Sequence, residues 1–139
     1  MLERNDIFMQ LENLINIAKE ARKNAYSPYS NFQVGCALLC KSGKIYTGCN
    51  IENGGIQAIC AERVAFTKAI SDGEKEFSCI VVVGGPANEN LIFTPPCGYC
   101  RQFMSEFVDS DFKIHLFYDS MENLKTYSLE ELLPGSFKL

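Results

Sequence analysis

Histidine is almost missing from this sequence: the 139 residues contain one, His115, in the middle of an apolar β pattern. A Cys/His catalytic pair is therefore excluded, and His115 reads as structural. No apolar run reaches the roughly 20 residues that a membrane-spanning helix needs, so no membrane partner is expected. An excess of positive charge is also lacking. Lys and Arg number 13 against 17 Asp and Glu, for a formal net charge of −4 and a pI near 5.0. Nucleic-acid binders usually show a basic stripe, so no nucleic-acid partner is expected, and a small, weakly charged substrate fits better. There are no internal repeats, low-complexity segments or linkers. The length suits one domain over residues 1–139, with core enough to need no disulfide. Met1 to Asp6 carry both charge signs ahead of an amphipathic stretch, which is not the layout of a secretory signal. Together these absences point to a cytoplasmic protein. Thiols stay reduced there, so the seven cysteines, an odd number, call for chemistry other than a disulfide framework.

The apolar spacing of Phe8, Leu11, Leu14, Ile15 and Ala18 predicts an amphipathic helix from about Asn5 to Asn24. Turn residues follow at Tyr26 to Asn31. Val34–Leu39 and Ile45–Cys49 read as strands of a hairpin joined by Lys41-Ser42-Gly43-Lys44. Gly54-Gly55 marks a tight or flexible loop. A second helix is expected over Cys60–Ile70, stopping near Gly73. Ile80–Val83 reads as a buried strand, and Gly84–Pro96 as loop. A third helix is expected over Gly98–Val108, a strand over Lys113–Tyr118, and a short helix opened by the capping box Ser128-Leu129-Glu130-Glu131 and stopped by Pro134-Gly135. This order implies a mixed sheet with helices packed on its faces.

Chemistry concentrates in Cys60-Ala61-Glu62 and Pro95-Pro96-Cys97-Gly98-Tyr99-Cys100. Each stands where a helix should begin, and a helix N-terminus stabilises thiolates through its partial positive charge and free N–H groups. Cys97 and Cys100 are three apart, so one helical turn puts them on a shared face. Pro96 suits the helix entry. Three thiolates around Zn²⁺ leave one tetrahedral position open, the layout of a catalytic zinc; a structural site would close it with a fourth ligand. Such a metal lowers the pKa of bound water toward neutrality. Three thiolates and Zn²⁺ sum to −1, however, which weakens the metal as a Lewis acid. Arg63 is expected to offset this by donating hydrogen bonds to ligand sulfurs. Glu62, two residues after a ligand, is placed to carry protons from water to a ring nitrogen and then to a leaving amine. Cys-Ala-Glu followed by Pro-Cys-x-x-Cys is the general pattern of zinc nucleobase deaminases.

The sequence also resembles the homotetrameric cytidine deaminases. The matching segments are Ser27-Pro28-Tyr29-Ser30-Asn31-Phe32-Gln33-Val34-Gly35, Asn50-Ile51-Glu52-Asn53, Cys60-Ala61-Glu62-Arg63, Pro96-Cys97-Gly98-Tyr99-Cys100-Arg101-Gln102, and Leu132-Leu133-Pro134-Gly135-Ser136-Phe137. The resemblance implies an α/β fold of three α/β/α layers around a mixed five-stranded sheet. It also implies hydrolysis of cytidine and 2′-deoxycytidine to the uridines and ammonia in pyrimidine salvage, with Zn²⁺ as cofactor. Asn50 and Glu52 would bind the ribose 3′-hydroxyl, Phe32 would pack on the base, and the Ala61 backbone would meet the pyrimidine carbonyl. Phe137 would reach from a neighbouring subunit of a homotetramer. One segment departs from the family. Between Asn53 and Cys60, Gly54-Gly55-Ile56-Gln57-Ala58-Ile59 stands where the family usually has an interval one residue longer containing a stretch like Ala-Ser-Tyr-Gly-Leu-Thr, and it lacks the tyrosine, which helps form the inter-subunit site. Blasticidin S deaminases carry Gly-Gly here but lack the Asn-x-Glu pair that this chain keeps.

Blander assignments compete with each of these. The three cysteines could form a structural zinc site closed by Cys49 or Cys36, which leaves Glu62 idle, or Cys97 and Cys100 a redox dithiol, which ignores Cys60. Asn50 and Glu52 could cap a loop, Arg63 could be a surface cation, and Phe32 and Phe137 could be ordinary core aromatics. Cys36, Cys40, Cys49 and Cys79 fall in strand patterns as small apolar residues. Tyr99, Arg101 and Gln102 read as shaping a helix start. A blasticidin S deaminase, an editor of cytosine in nucleic acid and a non-catalytic zinc module are the rival functions.

Overall fold

Strand alternation determines the architecture, because the two sides of each central strand enter different cores. In a computed structural model that describes residues 3–139, the strand β1 (Phe32–Cys40) sends Cys36, Leu38 and Cys40 to one face and Ala37 and Leu39 to the other. Met1 and Leu2, part of the opening segment considered above, lie outside the described residues. Strand β3 (Phe77–Pro86) repeats the pattern, with Ile80 and Val82 on the first face and Val81 and Val83 on the second. This two-sided apolar character is what a sheet covered by helices on both faces requires. Helix α1 (Arg4–Arg22) covers one face with Leu14, Ile15 and Ala18. Helices α2 (Ala61–Ser71) and α3 (Gly98–Ser105), with the single-turn α4 (Leu129–Leu132), cover the other.

The remaining strands are β2 (Ile45–Cys49), β4 (Lys113–Leu116) and β5 (Lys125–Ser128), in the order β2-β1-β3-β4-β5. All pairings are antiparallel except β3–β4, the parallel pair bridged by α3. The sheet is thus mixed, five-stranded and sandwiched between helical layers, as the resemblance implied. Among the described residues no helix is long and apolar enough to cross a membrane.

Several boundaries differ from the periodicity-based expectation. Strand β3 runs on through Gly84, Gly85 and Pro86, which composition marks as loop, because they pair with Val34, Gln33 and Phe32 of β1. Helix α3 stops at Ser105, short of Val108. Strand β4 ends at Leu116, before Tyr118. Strand β5 was not evident from periodicity at all; it is a four-residue edge strand, exposed or half-buried throughout.

Two features fix α2. Phe66 is fully buried against Phe77, with ring centroids 5.0 Å apart, and against Phe107 and Phe112. A buried Phe contributes roughly 1.5–3 kcal/mol. At the helix start, Gly48 of β2 lets the strand press on the first turn: a Cβ there would stand 2.0 Å from the Ala61 carbonyl oxygen.

Candidate zinc centre

The two cysteine segments converge because the helices they open lie side by side. Cys60 is the N-cap of α2 and Cys97 the N-cap of α3, both in extended backbone conformation. The Cys97 sulfur accepts a hydrogen bond from the Cys100 amide at 3.4 Å, a capping contact that holds the side chain over the helix N-terminus. Cys60 Sγ and Cys97 Sγ stand 3.8 Å apart, and the sulfurs of Cys60, Cys97 and Cys100 all lie within 4.8 Å of one another. Tetrahedral bonds of about 2.3 Å to zinc would put sulfurs roughly 3.8 Å apart, so the donor set fits Zn²⁺ in both chemistry and spacing. Among the described residues this is the one such group of possible ligands. Cys36 and Cys49, considered above as a fourth ligand, are not in it; the Cys36 thiol instead donates to the Ala61 carbonyl at 3.2 Å.

The cluster is electrostatically prepared for a cation. Hydrogen bonding from Cys100 first, then from Arg63 and Cys97, brings the Cys60 thiol down to about 5 despite its burial. The shared bond with Cys60 in turn holds the Cys100 proton tightly. Arg63 donates from Nη2 to the Cys60 sulfur at 3.6 Å and to the Ala58 carbonyl at 3.4 Å. Its Nε is buried with no partner. Arg63 thus reaches a ligand sulfur as its place in the sequence implies, and its guanidinium carbon also sits 3.9 Å from the centroid of the Tyr99 ring, a contact with no signal along the chain.

Glu62 is 4 % exposed, in the first turn of α2 beside the first ligand. Burial pushes its carboxyl up to about 7, with the neighbouring Cys60 charge adding to the rise and Arg63 opposing it. An acid in that range both accepts and releases protons near neutral pH. Ala61 is fully buried, its carbonyl wedged between Gly48 and the Cys36 thiol.

The loop residues proposed for the sugar are tied to the start of β1. Asn50 accepts from the Val34 amide at 2.9 Å and donates to the Phe32 carbonyl at 2.9 Å. Glu52 accepts from the amides of Tyr29 at 2.9 Å and Ser30 at 3.1 Å, and from the Ser30 hydroxyl. Those bonds, the Ser30 hydroxyl foremost, hold its carboxyl below the usual carboxylate range. An amide nitrogen with two hydrogens and a carboxylate with about four acceptor positions keep capacity for a further partner. Phe32 is half-buried at the head of β1. Phe137 stands apart from them on the C-terminal tail: its carbonyl accepts from Gln102 of α3 at 3.4 Å and the residue is 64 % exposed.

A family model for the cytidine and deoxycytidylate deaminase zinc-binding region matches residues 9–116. The chain belongs to this family. Like it, a cytidine deaminase of Sporosarcina psychrophila is 43% identical over 133 residues, covering 93% of this chain and 92% of that one. A crystal structure of cytidine deaminase from Burkholderia pseudomallei superposes with a TM-score of 0.77 at 39% identity, covering 91% of this chain and 98% of that chain. A blasticidin-S deaminase of Bacillus cereus is 30% identical over 126 residues, 87% of each. The family is thus shared with that rival activity, while the more similar relative is a cytidine deaminase. The three sulfurs and Glu62 all fall inside the matched zinc-binding region.

Proposed function

We propose that this chain is a zinc-dependent hydrolase that converts free cytidine and 2′-deoxycytidine to the uridines and ammonia. One observation carries the proposal. A buried carboxyl, Glu62, stands beside three sulfurs spaced for a tetrahedral metal, and among the described residues no fourth His, Cys, Asp or Glu joins the group. Zn²⁺ bound there supplies a Lewis acid that makes a water nucleophilic at neutral pH.

The chain's own residues do the rest. Phe32 offers an aromatic face on which the cytosine lies flat. The Ala61 backbone meets the pyrimidine carbonyl, which fixes the direction of the ring. Glu62 takes a proton from the attacking water and gives it to N3 as oxygen adds to C4. It then passes the second water proton to the exocyclic nitrogen. The C4–N4 bond breaks, ammonia leaves with the second proton, and N3 keeps the first, so the ring regains its conjugation as uracil. Arg63 offsets the net −1 of three thiolates and a divalent cation, which preserves the metal's electrophilicity. Asn50 and Glu52 take the ribose 3′-hydroxyl. A site built around that hydroxyl rejects ligands without it, since its polar groups would be left unpaired. The pair favours nucleosides over blasticidin S for the same reason. Contact at the 3′-position leaves both ribo- and deoxyribonucleosides acceptable.

The active enzyme is a homotetramer in the cytoplasm, serving pyrimidine salvage. Its site is completed by Phe137 of a neighbouring subunit. The exposed rings of Phe137 and Tyr29, 64% and 66% accessible in the single chain, support the assembly. All seven cysteines are free thiols, which suits a reducing compartment. Purified protein incubated with cytidine, blasticidin S and a single-stranded oligonucleotide tests the activity. Loss of the cytosine absorbance with cytidine alone, abolished by a strong zinc chelator, is expected. No turnover of cytidine, or turnover unchanged by full zinc removal, would refute it.

A further inference from the structure

Arg63 raises a problem of restraint. Its 3.4 Å contact to the Ala58 carbonyl is long for N–H···O, its 3.6 Å contact to the Cys60 sulfur is of ordinary N–H···S length, both run from the one nitrogen Nη2, and its Nε finds no partner although buried. Hydrogen bonds from one end of the guanidinium leave the tilt of a flexible four-torsion side chain weakly fixed. The guanidinium also lies over the Tyr99 ring, 3.9 Å from ring centroid to guanidinium carbon. Tyr99 lies between two ligand cysteines in the first turn of α3, whereas Arg63 lies in the first turn of α2. The contact therefore spans the two helix starts that supply the sulfurs. A guanidinium is planar, so a ring on its face leaves its N–H edge free to point at sulfur. Tyr99 is 52% exposed and its hydroxyl enters no side-chain hydrogen bond among those described. The part of the residue that acts is the ring.

We propose that Tyr99 is a positioning residue. Its aromatic face clamps the Arg63 guanidinium against the sulfur cluster, so zinc retention and turnover rate depend on the ring and not on the hydroxyl. This rests on the zinc-centre reading given above. Tyr99 touches no reacting atom and acts only through Arg63.

Zinc affinity, measured by competition with a chelator of known strength, tests this on wild type, Tyr99→Phe, Tyr99→Leu, Arg63→Gln and the Arg63→Gln/Tyr99→Leu double variant. Tyr99→Leu should weaken affinity about three- to tenfold, the range of a partly desolvated cation–π contact. It should lower kcat with little change in KM, while Tyr99→Phe restores affinity to within about twofold of wild type. In the Arg63→Gln background the Tyr99→Leu change should add less than about twofold, because the partner of the ring is gone. Wild-type affinity in Tyr99→Leu, independent losses in the double variant, or a change in KM alone would each overturn the proposal. Should Tyr99→Leu not fold, the Arg63 Nε–H resonance of the zinc-loaded wild type decides. An exchange-protected signal shifted upfield by the ring supports the clamp, and a free-arginine shift overturns it. Wild-type protein that binds no zinc would instead sink the zinc-centre reading itself.

Discussion

Gly48→Ala is a demanding test, because its effect on the site can be worked from a single distance. The Cβ that alanine adds would stand 2.0 Å from the Ala61 carbonyl oxygen, 2.9 Å from the Ala65 nitrogen and 3.0 Å from the Ala61 carbonyl carbon. Ordinary Cβ contacts begin at 3.4 Å, so β2 and the first turn of α2 must separate by roughly 1.4 Å. All three obstructing atoms are backbone, so no side chain can swing aside. That first turn carries Ala61, Glu62 and Arg63 and is capped by Cys60. A displacement near 1 Å in a catalytic group lowers rate by about 10²-fold. Gly48→Ala should therefore lose about two orders of magnitude in kcat, with an overpacking penalty of about 1–3 kcal/mol in stability. Gly35→Ala is the matched control. Its Cβ overlaps backbone as severely, at 2.3 Å from the Ala18 carbonyl oxygen, but on the α1 side of the sheet. It should lose comparable stability, with kcat per folded molecule falling by less than about threefold. Steady-state kinetics normalised to the folded fraction from denaturant titration separate the two effects. A Gly48→Ala enzyme with near-wild-type kcat, or two variants equal in kcat, would refute the claim that this close approach positions the site.

Glu62→Gln should retain zinc while kcat falls about 10²- to 10⁴-fold, the contribution of a general acid–base group; turnover within tenfold of wild type would remove Glu62 from the proton path. Glu52→Gln should lower kcat/KM for cytidine about 10-fold or more with zinc content unchanged, and an unaffected kcat/KM would assign Glu52 to loop capping alone. Arg63→Gln should lower both zinc affinity and kcat, and a variant unchanged in both would make Arg63 a bystander. His115 supplies a pH test. Burial, then Lys113, lowers its imidazole from 6.5 to about 4. Between those values the unfolded chain binds the proton that the folded chain refuses, so stability falls as pH drops through this window. The loss is about 2–3 kcal/mol, and His115→Gln should remove it from the difference between denaturation at pH 7 and pH 4. Identical pH dependence in both proteins would show that His115 titrates normally.

The zinc centre was largely legible in the sequence because its spacing is local: Cys97 and Cys100 share one helical turn, and Cys60 and Glu62 another. Helix starts were also legible, since the Ser128–Glu131 capping box forms as its residues imply. What escaped depends on tertiary contact. Lys125–Ser128 becomes a strand because β4 offers an open edge, not because its side chains alternate in polarity. Gly84–Pro86 stays in β3 because β1 continues beside it. Tyr99 reads along the chain as a helix-start residue, since a pattern that brings two helix starts to one metal does not say which of their other side chains touch. The importance of Gly48 depends likewise on how closely β2 approaches α2.

X-ray absorption at the zinc edge of the purified protein tests the central claim most directly. The account predicts three sulfurs at about 2.3 Å and one oxygen at about 2.0 Å. Four sulfurs, or a nitrogen from the protein in the fourth position, would contradict it.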